Sequence, residues 1–168
     1  MPTTIINPSS GIIQTVQTHY TTANSQSLVS NTIADIVGIT ATITPKYVDS
    51  LILVSCRWSG EVDSPNDAMT GLRRNGASIG SAPAAGSRMV GLAPVVISVA
   101  THSADRASLQ SSSFQYLDSP ASIAALVYTM TFVYSVAATL FTNRSTNDVD
   151  SSSHQRGTCT ITLQEIRQ

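Results

Sequence analysis

The sequence is poor in charge. Asp, Glu, Lys and Arg supply 11% of its 168 residues and leave a formal net charge of −1, where an ordinary soluble domain carries about 25% charged residues. That balance excludes the broad basic field that gathers nucleic acid. Lysine is almost missing: Lys46 stands alone, and the other basic residues are arginines, whose planar guanidinium suits protein contacts. Only two cysteines occur, Cys56 and Cys159, far apart in the chain, and their spacing fits no zinc or redox motif. A bridge closing so long a loop and a pair of buried thiols both remain open, the thiols being the preferred reading. The first residues, MPTTIINPSSG, lack a positive n-region and an apolar run, so no secretory signal is expected and assembly is expected in a cytoplasm. Heptads, collagen-like triplets, fixed-period repeats and capped amphipathic helices are likewise missing.

Ser and Thr fill the place of charge, while Val, Ile and Leu recur from Ile12 to Ile166, which a disordered segment does not sustain. One folded domain over 11–168, preceded by a short arm over 1–10, accommodates this length. Alternation is the dominant pattern. Ile39, Ala41 and Ile43 oppose Thr40, Thr42 and Thr44 before Pro45 ends the run, and Cys159, Ile161 and Leu163 oppose Thr158, Thr160 and Thr162. DSLILVSCRWSGEVD is apolar on both faces at its start, the mark of a central strand. GIIQTVQTHYT reads as a first strand, and Asn75-Gly76 in LRRNGASIG predicts a type I′ hairpin, which needs positive φ at both central residues.

The uncharged stretch between Asp118 and Arg144 has the length of a marginal membrane helix. Its apolar residues Leu126, Tyr128, Met130, Phe132, Tyr134 and Leu140 fall on one phase of a period of two, and β-branched and aromatic residues favour strand. Two strands divided near Ser135–Ala137 are expected, with no membrane insertion. Between Ser81 and Phe114 only VVISVA reads clearly as a strand. In all, roughly eight to ten short strands predict a sandwich or barrel.

Motifs with chemical meaning fail in context. GASIG places Ser78 in a G-x-S-x-G pattern, but the serine follows a hairpin turn rather than leading into a helix, and His19, His102 and His154 are scattered. Glu61, Asp63 and Asp67 match no EF-hand spacing and read, like Asp148 and Asp150, as solvated loop carboxylates. Asn143 begins an N-x-S glycosylation sequence without the secretory context that would give it meaning. No catalytic, metal or cofactor-binding residue is expected. Arg73 and Arg74 precede the hairpin, where a guanidinium is placed to grip a carboxylate of a capsid neighbour or an acidic glycan; as adjacent strand residues, only one of them faces any single partner.

Several blocks taken in order, GIIQTVQT, GITATITP with DSLILVSCRWSGE, LRRNGASIG, YLDSPASIAALVYTMTF, TLFTNRS and TCTITLQEI, resemble the small β domains of tailed-bacteriophage structural proteins. Those domains are related in shape to complement-type and tumour-necrosis-factor-like jelly rolls. The segment from Ala82 to Arg106 departs from that pattern.

The resemblance implies an all-β fold, a single jelly-roll β-sandwich forming a homotrimer, located in a virion on the capsid surface or in a fibre. The expected function is non-enzymatic: a capsid cement or decoration protein that binds the major capsid protein or another virion protein. Pro2, Thr3, Thr4, Ile5, Ile6, Asn7 and Pro8 form the expected docking arm, which adds a strand to its neighbour. A receptor-binding fibre tip contacting a host surface glycan is the alternative. A hydrolase or lectin acting outside a virion has no specific support in the sequence.

Overall fold

Period-two alternation builds two antiparallel sheets in the computed structural model, which describes residues 11–96 and 108–167. The strands are β1 (Ile12–Tyr20), β2 (Asn24–Leu28), β3 (Ala34–Ile43), β4 (Leu51–Val62), β5 (Ala68–Arg74), β6 (Ala77–Ile79), β7 (Ala93–Val95), β8 (Gln110–Asp118), β9 (Leu126–Tyr134), β10 (Ala138–Thr142) and β11 (Cys159–Ile166). Sheet A runs β1-β11-β4-β10-β2 with β8 on the far side of β4, and sheet B runs β3-β9-β5-β6 with β7 also on β5. Taking β2 and β10 as extensions and β6 with β7 as one position, the principal strands run first-eighth-third-sixth and second-seventh-fourth-fifth. This is the order of a jelly-roll sandwich. No element among the described residues is a helix, so no helix there is long and apolar enough to cross a membrane.

The inward phases meet between the sheets. Ile52, Val54, Cys56 and Trp58 of β4 and Ile161 and Leu163 of β11 pack against Ile39 and Ile43 of β3 and Tyr128, Met130 and Phe132 of β9. Trp58 and Phe132 join the layers with ring centroids 5.3 Å apart at 58°, a tilted geometry that contributes about 0.5–1.5 kcal/mol beyond burial. Both cysteines are buried free thiols. Burial pushes Cys56 up to about 12 and Cys159 up to about 11, because a thiolate has no solvation in the apolar layer.

Turn chemistry follows the sequence closely at the hairpin. Asn75 and Gly76 have φ of 50° and 82°, and Arg74 faces Ala77 across the turn. The long apolar stretch splits into β9 and β10 around residues 135–137. β3 contains a wide bulge: its register against β9 shifts between Asp35 and Thr40, and Gly38 there has φ of 84° with the Tyr20 ring pressed where a Cβ would stand.

Two sequence expectations differ from the structure, and a third falls largely outside the described residues. Of VVISVA, Val95 closes β7, which starts at Ala93, and the rest of the run from residue 97 onward lies outside the described residues, as do all of 97–107. The Ser-rich run before Phe114 is the start of β8, and NSQSL forms β2. Both are polar because half of each strand faces solvent, and the inward Ser112 of β8 is satisfied by the Thr70 hydroxyl at 2.7 Å. Glu61 is not a solvated loop residue: it is fully buried in β4 and accepts the Thr146 amide through Oε2 at 2.5 Å.

Candidate interaction surface

The sandwich has two unlike ends. At one, β1, β4 and β9 begin while β3, β8 and β11 finish, and residue 11 joins the preceding segment. A buried carboxylate organises this end. Glu165 Oε1 accepts the amide of Lys46 at 2.7 Å, the amide of Tyr47 at 3.4 Å and the Ser50 hydroxyl at 2.8 Å. With its amide nitrogen turned inward, Gln14 donates to Glu165 Oε2 at 3.0 Å and to the Thr44 carbonyl at 3.2 Å. The β3–β4 turn held in this way displays Tyr47 and Val48, 44% and 59% exposed, and Ile12 and Ile123 stand at the same end with 56% and 63% exposure. The Arg167 guanidinium lies 3.4 Å from the Tyr47 ring centroid, and the Arg167 amide donates to the Gly11 carbonyl at 3.1 Å. Cation and ring together thus brace the strand end at Gly11. The expected arm residues Pro2, Thr3, Thr4, Ile5, Ile6, Asn7 and Pro8 lie outside the described residues.

Arg73 and Arg74 point to opposite faces of sheet B, and each grips a carboxylate of this same chain. Arg73 Nη1 lies 2.7 Å from Asp35 Oδ1 on the outer face, and Nη2 donates to the Ile33 carbonyl at 3.3 Å. Arg74 turns inward and binds both oxygens of Asp118, at 2.9 and 2.7 Å. Tyr128 donates to Asp118 Oδ2 at 2.6 Å. The hydrogen bond that Arg74 donates to Asp118 raises the guanidinium further above its ordinary value, and Tyr128 is raised by burial first and by Asp118 second. This cluster ties β5 and β9 of one sheet to β8 of the other. Each arginine is thus already engaged with a carboxylate of its own chain.

The far end is polar and internally bonded. Asn143, with φ of 63°, donates through its amide to the carbonyls of Tyr20 at 2.8 Å and Thr22 at 3.1 Å, and accepts the Cys159 thiol at 2.9 Å. Asn143 is 1% exposed, so the glycosylation sequence is buried in the folded chain. Asp63 Oδ1 accepts the Thr139 amide at 2.9 Å, which fixes the start of β10. Between β10 and β11, Asp148 pairs with Arg156 at 2.6 Å and stands 3.8 Å from Arg144. That loop borders a mostly polar, half-open cavity of about 290 Å³ lined by Asp148, Asp150, Ser151, His154, Gln155 and Arg156, with Val149 the apolar member. Among the described residues no three His, Cys, Asp or Glu side chains converge as metal ligands. Ser78 is exposed on β6, with no helix following it. His19 stands on β1 of the other sheet and His154 in the far loop, while His102 lies outside the described residues.

The two outer faces also differ. Segment 82–92, the first part of the stretch that departs from the resemblance, crosses the outer face of sheet B: the Leu92 amide donates to the Thr70 carbonyl at 2.8 Å, and Met89 and Val90 flank a cavity of about 150 Å³ above Val133. The outer face of sheet A is open and carries Thr15, Gln17 and His19 on β1, Thr160, Thr162 and Gln164 on β11, Ser55 and Arg57 on β4, and Ser113 and Gln115 on β8, with the half-buried Leu53 and Leu117 beside them. Arg57 is the one formal charge in that set. Sequence reasoning missed the part of this face that β8 supplies, because its serines read as loop.

Comparison with protein-family models gives no match, and no curated protein matches the chain at a significant level.

Proposed function

We propose that this chain is a non-enzymatic virion structural protein, a homotrimeric cement or decoration protein that binds the head surface of a bacteriophage through the end from which the arm leaves. The observation that carries the reading is the gathering of Ile12, Tyr47, Val48 and Ile123, all exposed, beside the entry of an uncharged segment that contains Ile5 and Ile6. Apolar side chains collected at one end of a sandwich favour adhesion there, and an extended arm adds backbone hydrogen bonds to the same contact. Three arms on one trimer raise avidity by about 100-fold or more over a single arm. The phage origin and the trimer rest on the ordered sequence blocks.

The test is cosedimentation with capsids of the virus that encodes the chain. Full-length protein should pellet with capsids; removal of residues 1–10, or Tyr47→Ser combined with Val48→Ser, should leave a folded protein in the supernatant. Undiminished binding by both variants overturns the proposed docking end. The polar cavity between Asp148 and Arg156 favours a second reading, a fibre tip whose far end holds a host glycan by hydrogen bonds. Labelled protein located on fibres rather than on the head would select it.

A further inference from the structure

The edges of the two sheets are guarded unequally. On sheet B, β3 is bent by its bulge, and the exposed backbone there is occupied: Gln26 Nε2 donates to the Asp35 carbonyl and Gln26 Oε1 accepts the Val37 amide, each at 3.0 Å. β6 and β7 are three residues each, and β7 contains Pro94. On sheet A, β2 has five residues, and β1 carries a register shift between Ile12 and Gln14. Short length, bulges, proline and charge are the devices that keep an edge from pairing with another chain.

β8 has none of them on its exposed edge, its one charged residue, Asp118, being buried at the end of the strand against Arg74. Its nine residues pair with β4 without a shift, from Ile52 opposite Asp118 to Gly60 opposite Gln110. No Pro, Gly or charged residue occurs from Gln110 to Leu117. Among the described residues the opposite edge of β8 makes no backbone hydrogen bond. Phe114 and Tyr116, which pack against the core, remain half-buried, so each leaves apolar surface beside that unpaired backbone.

We infer that β8 is a self-pairing edge: two copies of the chain join β8 to β8 antiparallel about a two-fold axis through Phe114, so that sheet A runs from one molecule into the next. The strand is self-complementary in that register. Ser113 faces Gln115 and Ser111 faces Leu117, with no like charges opposed. Arg57 lies one strand further in, beside Ser113; three strand spacings separate it from its two-fold mate by about 14 Å, beyond the screening length of about 8 Å at physiological salt. The contact is isologous and closes on itself. It goes beyond the virion reading, and on a three-fold trimer it would link one trimer to another.

The test is the mass of the full chain by sedimentation at micromolar concentrations, beside Ser113→Lys and Thr15→Lys, with circular dichroism and urea midpoints to establish folding. Ser113 and Thr15 are both exposed, so each variant should fold. Ser113→Lys should halve the mass and weaken association at least ten-fold, and Thr15→Lys should leave it unchanged. A hexamer that becomes a trimer supports both the edge pairing and the three-fold. A dimer that becomes a monomer supports the edge and overturns the three-fold, while a trimer unchanged by Ser113→Lys overturns the edge and keeps the three-fold. A monomeric full chain overturns both. Loss of the two-fold on removal of residues 1–10 would make the arm the occupant of the edge and overturn self-pairing.

Discussion

Arg74 and Asp118 join the two sheets through a two-toothed contact of 2.7 and 2.9 Å, and Asp118 is 5% exposed. Its carboxylate also takes the Tyr128 proton donor. Asp118→Ala would leave a guanidinium and a buried phenol without their partner, and should lower unfolding free energy by about 2–4 kcal/mol in urea titration. Arg73→Ala removes the more exposed pair to Asp35, whose side chain is 52% exposed, and should cost less than about 1 kcal/mol. Equal losses would remove the distinction between the inner and outer arginine.

Alkaline pH should destabilise the fold. In an unfolded chain the thiols ionise near the ordinary value of 9.0, whereas in the folded chain Cys56 holds its proton to about 12 and Cys159 to about 11. Tyr128 shifts in the same direction from 10.0. Each raised group therefore contributes stability that is complete below its unfolded value and is lost as pH rises through its folded value. Between those limits the slope approaches about 1.4 kcal/mol per pH unit for each group. Urea midpoints should be flat across neutral pH and fall above about 9, and Cys56→Ala should reduce the slope. A midpoint that rises over the same range would contradict the thiol burial. Neither cysteine should react with an aromatic disulfide until urea unfolds the chain.

Gly38 and Gly76 share a positive φ but not their surroundings. A Cβ at Gly38 would meet the Tyr20 ring, whereas nothing lies within 4 Å of one at Gly76. Gly76→Ala should cost about 1 kcal/mol, the backbone penalty alone. Gly38→Ala should cost more than about 2 kcal/mol, and Tyr20→Ala in the same chain should relieve the steric share, leaving a measurable coupling in a double-mutant cycle.

Asn143 serves two elements at once, donating to the β1–β2 corner and accepting from β11. Asn143→Ala should destabilise the chain by about 2–3 kcal/mol, since buried carbonyls lose their donors and a left-handed backbone position loses a residue suited to it. Thermal unfolding followed at Trp58 measures it; a change under about 0.5 kcal/mol would mean that water replaces the amide.

The parts of the fold legible in the sequence are those where alternation coincides with apolar and hydroxyl side chains. Ile39–Ile43, Leu126–Tyr134 and Cys159–Leu163 all face the way their phases imply, and Asn75-Gly76 forms the expected turn. Strands whose inward positions are polar were not legible. Ser112 and Gln110 of β8 carry no hydrophobic phase, and only the partner strand shows that Ser112 meets Thr70 across the sandwich. Glu61 and Glu165 were equally hidden, since a buried carboxylate is recognised by the amides that converge on it. Arg73 and Arg74 were visible as a pair on opposite faces, but the carboxylates they hold, Asp35 and Asp118, are remote in sequence.

The open face of sheet A, with its rows of Thr, Ser and Gln, bears on how this molecule behaves in brine. Almost no counter-ions condense on a surface whose one formal charge is Arg57, so few are released when that surface is covered. Contacts formed there should hold with nearly the same strength from dilute buffer to seawater, because added salt finds little to screen.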